Sequence, residues 1–163
     1  MKKWQKVVLW ILGPIIGVVI IGFLGIFVFW HVIFYSNSCK RFNIDNIETR
    51  IRVDIPAIYG DQMECFLDKA AKTKTNYFRI RTDEVDMDRY VERNAFISAY
   101  GVNLDLSVFQ ILAKTPKITP DNIQDFYYNS GTGIRTSEWL AIVNKNSGDL
   151  WVYMNFKRNK NRN

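Results

Sequence analysis

Two kinds of hydrophobic pattern divide the chain. From Val7 to Tyr35 there is no charged residue, and Val7 to Trp30 is a run of 24 residues without a break. A bilayer core of ~30 Å needs about 20 apolar residues in helical form. Backbone groups in lipid must be satisfied internally, so such a run is predicted to be a helix. Trp4 and Trp10 at one end and Trp30 and Tyr35 at the other form aromatic belts. His31, the only histidine, sits at the outer edge as an interfacial anchor. The run exceeds the roughly 7–15 residues of a cleaved secretory core, so it reads as an uncleaved signal anchor.

After the anchor the pattern is short and mixed. Ile47, Thr49, Ile51, Val53 and Ile55 alternate with polar residues, which predicts a half-buried strand ended by Pro56. Asp61 and Glu64 have capping-box spacing, which predicts a helix to about Lys72. Residues 77–81 read as a strand. Thr82 or Asp83 opens a helix to about Asn94, with Met87, Tyr90 and Val91 inward. Ala95 to Tyr100 reads as a strand. Residues 105–114 favour a short helix, although Val102, Leu104, Leu106 and Val108 also alternate. Thr119-Pro120 marks another helix start, with Ile123, Phe126 and Tyr127 inward. Asn129 to Gly133 reads as a loop. Residues 139–144 and 150–156 are apolar strands joined by a glycine-bearing turn, a β-hairpin. The expected class is α+β: one N-terminal transmembrane helix, then a small domain with a mainly antiparallel sheet, flanking helices and a C-terminal β-hairpin. The expected divisions are a cytoplasmic tail (1–6), the anchor (7–35), a linker (36–45), an extracytoplasmic domain (46–156) and a basic tail (157–163).

Charge refines the placement. Lys2, Lys3 and Lys6 precede the anchor, which favours a cytoplasmic N-terminus, although Lys40, Arg41, Arg50 and Arg52 follow it. The expected location is a bacterial inner membrane, single-pass, with the C-terminal domain outside the cytoplasm. Residues 40–163 hold 19 Lys+Arg and 16 Asp+Glu, and four of those cations lie in the tail at Lys157, Arg158, Lys160 and Arg162. The domain body is therefore near neutral, which argues against a nucleic-acid face.

Candidate chemistry is sparse. Without a histidine in the domain, no Ser-His-Asp or Cys-His site can be built there. Two cysteines and one histidine do not make a zinc site. Asp83 to Asp88 is rich in carboxylates but lacks the glycine and glutamate of a calcium loop, and suits a helix start. Gly131-Thr132-Gly133 lacks the lysine of a phosphate cradle. Glu48, Glu64, Glu84, Glu92 and Glu138 are available to a two-carboxylate mechanism, but no spacing selects a pair. No cofactor is implied, and the chain is not expected to be an enzyme.

Three features remain. Cys65, placed on the polar face of the helix expected at 61–72, is a candidate to bridge Cys39, which requires an oxidising compartment. Gly13 and Gly17 form a G-x-x-x-G pair suited to helix–helix contact, including self-association, beside a kinking Pro14. Tyr128, Arg135, Trp151 and Tyr153 are candidate protein-binding residues, of types enriched at hot spots. Trp151 and Tyr153 share one hairpin face, which can equally be core. The expected function is binding of a protein partner in the bacterial envelope or periplasm, as an immunity protein or inhibitor of an envelope-targeted toxin. The alternative is an accessory subunit of a membrane secretion or transport complex. A carboxylate-dependent enzyme on envelope polymers comes third.

Overall fold

The computed structural model describes residues 3–35, 39, 44–134 and 136–156, and within the first helix it describes the side chains of 12–28. The chain forms two compact units that divide after residue 36.

The first unit is α1, Lys3–Tyr35, a helix of 33 residues containing Pro14. Each large apolar side chain described on it, from Leu12 to Val28, is at least 48% exposed. Among the described residues, no helix is long and apolar enough to cross a membrane. The expected transmembrane helix is therefore a helix in backbone, and the side chains of Trp4, Trp10, Trp30, His31 and Tyr35 lie outside the described residues.

The second unit is α+β. Its elements are α2 (Ile44–Ile51), β1 (Ile58–Asp68), β2 (Thr73–Ile80), α3 (Met87–Arg93), β3 (Ile97–Ser98), β4 (Phe126–Gly133), β5 (Thr136–Asn144) and β6 (Asp149–Asn155). The strands form one six-stranded sheet in the order β1-β2-β6-β5-β4-β3, with every pairing antiparallel. The expected hairpin is β5–β6, with Val143 opposite Leu150. Asn144 Oδ1 accepts the N–H groups of Asn146 and Ser147 in its turn, both at 2.9 Å. Gly148 closes the turn at φ +73°, a region that disfavours a Cβ.

Alternation along the strands gives the sheet two buried faces. Phe78 and Ile80 on β2, Trp139, Ala141 and Val143 on β5, and Leu150, Val152 and Met154 on β6 share one face. Ile47 and Ile51 of α2, Val53 and Ile55 after it, and Met87, Tyr90 and Val91 of α3 cover that face. The intervening residues Tyr77, Phe126, Ile142 and Trp151 form the second face. Residues 99–118, with Phe109 and Leu112 as their buried anchors, cover it.

Several local expectations are corrected. Ile47 lies in a helix, not a strand. Asn46, Ile47, Arg50 and Ile51 are all buried, a helical stripe, and the Arg50 guanidinium donates to Asn46 Oδ1 one turn back. The helix ends at Ile51, Arg52 follows at φ 57°, and the first strand begins only at Ile58. Residues 61–68 belong to β1 and not to a helix, paired from Met63 opposite Phe78 to Asp68 opposite Thr73. Residues 129–133 are part of β4. Near Asp105 and after Pro120 only single 3-10 turns form, Ser107–Phe109 and Ile123–Asp125. The helix expected from Thr82 or Asp83 starts at Met87, where Asp86 accepts the Arg89 N–H as its cap.

Candidate functional site

The sulfurs of Cys39 and Cys65 are joined, with the two Cα atoms 5.8 Å apart. Cys65 stands opposite Asn76 in the β1–β2 ladder, so it shares the α2/α3 face of the sheet. The chain before α2 is thereby stapled to the edge strand.

On that same face, β2 buries Lys74 at 3% exposure beside Asn76. Lys74 forms no ion pair among the described residues. Burial, with the Arg50 charge nearby, pushes its ammonium down to about 8. Asn76 Oδ1 is also buried without a hydrogen-bond donor among the described residues. The unfolded lysine titrates near 10.4, so between about pH 8 and 10 the unfolded state binds more protons, and this group's contribution to stability rises with pH. Lys74→Met is expected to stabilise the full chain by about 2 kcal/mol at pH 7. In urea melts the gap between variant and wild type should narrow steadily toward pH 10. A destabilised variant, or a gap independent of pH, would refute the unfavourable burial of this charge.

The opposite face carries a cleft, a cavity of about 440 Å³. Its floor is Tyr77, Phe126 and Trp151. The Tyr77 and Trp151 rings lie 5.7 Å apart, and Phe126 stacks on Trp151 at 6.3 Å. Cross-strand register produces this cluster, because Tyr77 is directly opposite Trp151. Arg79, Lys114, Lys117 and Asp149 supply the charge, and Gln62, Thr115, Asn122, Asn144 and Ser147 the remaining polar wall.

The partners of these groups decide what is available. Asp149 is engaged on all sides: Oδ1 accepts the Tyr77 hydroxyl at 2.7 Å, Oδ2 accepts the Ser147 hydroxyl at 2.6 Å, and Arg79 Nε lies 4.0 Å away. Burial and then that Asp149 bond hold the Tyr77 phenol protonated well above the usual tyrosine range. The Lys114 carbonyl accepts the Trp151 indole N–H, and its ammonium sits 4.9 Å from the Tyr77 ring centre. Lys114 and Lys117 are both exposed, and neither forms an ion pair among the described residues. The cleft therefore presents two ammonium groups without an ion pair among the described residues, one of them over the Tyr77 ring.

The residues singled out from sequence are scattered. Trp151 is 4% exposed and belongs to the second-face core, so of the two readings left open for its hairpin face the core reading holds, with Trp151 in the cleft floor. Tyr128 and Tyr153 are half-buried on the same face, outside the cleft lining. Arg135 lies outside the described residues. A Cβ added at Gly13 or Gly17 would meet nothing within 4 Å. Four of the five glutamates have structural occupations: Glu48 accepts Ile55 N–H at 2.6 Å, Glu64 accepts Ala113 N–H at 2.9 Å, Glu84 holds Arg81 at 2.7 Å, and Glu138 accepts from Asn155 at 2.7 Å. The acidic run is spent likewise, with Asp83 accepting the Tyr59 hydroxyl, Asp86 capping α3 and Asp88 pairing with Lys145. Among the described residues, no group of three or more His, Cys, Asp or Glu could hold a metal ion.

Sequence reasoning missed Tyr77, Arg79, Lys114 and Lys117. Tyr77 and Arg79 share one signal, their alternation with Thr75 along β2, which gains meaning once Trp151 is known to lie opposite; Lys114 and Lys117 lie on the segment 99–118 and do not share it. No protein-family model matches the chain, and no curated protein or solved structure matches it.

Proposed function

We propose that the chain is a single-pass bacterial envelope protein whose extracytoplasmic α+β domain binds a protein partner, as an inhibitor or immunity protein would. The membrane part of this reading is supported by the uncharged run Val7–Trp30 within a 33-residue helix. Its described apolar side chains are exposed all round, which suits lipid and leaves no polar face for water. The Cys39–Cys65 bridge favours an oxidising compartment for the domain. The observation that carries the binding reading is the cleft, where an aromatic floor and lysines without ion pairs among the described residues combine the residue types of an interface anchor pocket.

The test is site-specific photocross-linking in the native membrane, with the photoreactive residue at Gln62 or Asn122 on the cleft rim. A discrete adduct with a second polypeptide is expected from both positions. Absence of any adduct from either would sink the binding reading. The accessory-subunit reading is favoured by the G-x-x-x-G spacing of Gly13 and Gly17, which lets another helix approach closely. Leucine at both positions should leave the cleft adduct intact under the first reading and abolish it under the second.

A further inference from the structure

Given that protein-binding reading, we infer that the cleft recognises an acidic side chain of the partner that stands next to an aromatic or aliphatic one. Three cations and one carboxylate line it, so the site is net positive inside a domain that is near neutral overall. The single carboxylate, Asp149, is neutralised within the wall by Tyr77, Ser147 and Arg79. Lys114 and Lys117 remain without a counter-charge among the described residues. A carboxylate placed between them would gain charge-assisted hydrogen bonds in a partly desolvated site.

Two further features narrow the ligand. The floor of Tyr77, Phe126 and Trp151 is apolar and its rings are fixed by packing, so a neighbouring aromatic or aliphatic side chain gains contact area at little cost in ordering. The volume of about 440 Å³ suits one or two side chains and not an extended polymer. The Trp151 indole N–H, held by the Lys114 carbonyl, is a built-in reporter, because an anion drawn to Lys114 perturbs that bond.

The test titrates the full chain in detergent micelles with acetyl-Phe-Glu-amide, following the Trp151 indole N–H by NMR, assigned by its disappearance in Trp151→Phe. A saturable shift with a Kd of about 1 mM or tighter is expected. Acetyl-Phe-Gln-amide should bind at least about tenfold more weakly, and Lys114→Gln with Lys117→Gln should cost the Glu peptide about tenfold. Both lysines are exposed, so the double variant keeps its fold, which an unchanged melting curve verifies. Equal binding of the two peptides, or no saturable shift, overturns the inference. So does benzoate or inorganic phosphate binding as tightly as the Glu peptide, which would mark a site for small anions. In the photocross-linking experiment, an adduct undiminished by the double lysine variant removes acidic recognition and leaves partner binding standing. Loss of the adduct in every background removes the binding reading itself.

Discussion

Trp151→Ala is expected to destabilise the domain by about 3–5 kcal/mol, read as a fall in the urea midpoint of the full chain with its slope unchanged. The side chain is 4% exposed and lies at the centre of the second face. Removing it takes away the neighbour of both Tyr77 and Phe126 and leaves a void that the β2–β6 ladder cannot close. It also strands the Lys114 carbonyl, whose hydrogen bond holds residues 109–118 against the sheet. Trp151→Phe separates the two terms, since it keeps most of the packing and loses only the N–H. That variant should cost about 1–2 kcal/mol. A surface contact residue would instead tolerate alanine within ±0.5 kcal/mol. An alanine variant of near wild-type stability would therefore move Trp151 back to an exposed role and remove the floor from the cleft.

The hairpin face that sequence left open between surface and core is core, and the reason lies far along the chain. Nothing near Trp151 says that residues 99–118 fold across it. That segment has little regular structure, one 3-10 turn at Ser107–Phe109. Its apolar residues Leu104, Leu106, Val108, Phe109 and Leu112 match no single period because they are held by contacts with the sheet, not by a local ladder. Lys114 and Lys117 ride on the same segment, so the cleft is invisible until its cover is placed.

Where sequence reasoning failed on elements, two periods fitted the same residues. Ile47 and Ile51 lie two strand periods apart and one helical turn apart. The buried Asn46 and Arg50 decide for the helix, and as polar residues they were not expected inside. In 61–68 the reverse happened. Met63, Phe66 and Leu67 suit a helix, but Met63, Cys65 and Leu67 alternate on one face of β1. Its polar residues are those of an edge strand. Gly131 reads as a loop residue, yet it stands opposite Trp139 in the β4–β5 ladder. A Cβ there would lie 3.3 Å from the Trp139 ring, so the glycine gives that indole room over the strand. The β5–β6 hairpin and the buried face of α3 were legible because pattern, turn chemistry and tertiary packing agree there.

Removing the Cys39–Cys65 bridge is expected to cost about 3.5 kcal/mol, the chain-entropy value for the loop it closes. The sequence separation is 26 residues, and the loop includes α2 and most of β1. The loss should be uneven. β1 is an edge strand with a partner only in β2, and its register slips between Ile58 and Met63. β5 and β6 each have neighbours on both sides. In Cys39→Ser with Cys65→Ser, hydrogen exchange should therefore accelerate most at β1 and α2 and least at Ala141, Ile142 and Val152. Release of α2 also uncovers Ile47, Ile51 and the buried pair Lys74 and Arg50, so water reaches charges that the fold holds on an apolar face. Two measurements bear on this. Alkylation of the unfolded, unreduced protein should label neither cysteine, and reduction should lower the urea midpoint to that of the serine double variant. Labelling of both thiols before reduction would remove the staple, and with it the support it gives to a domain held in an oxidising compartment.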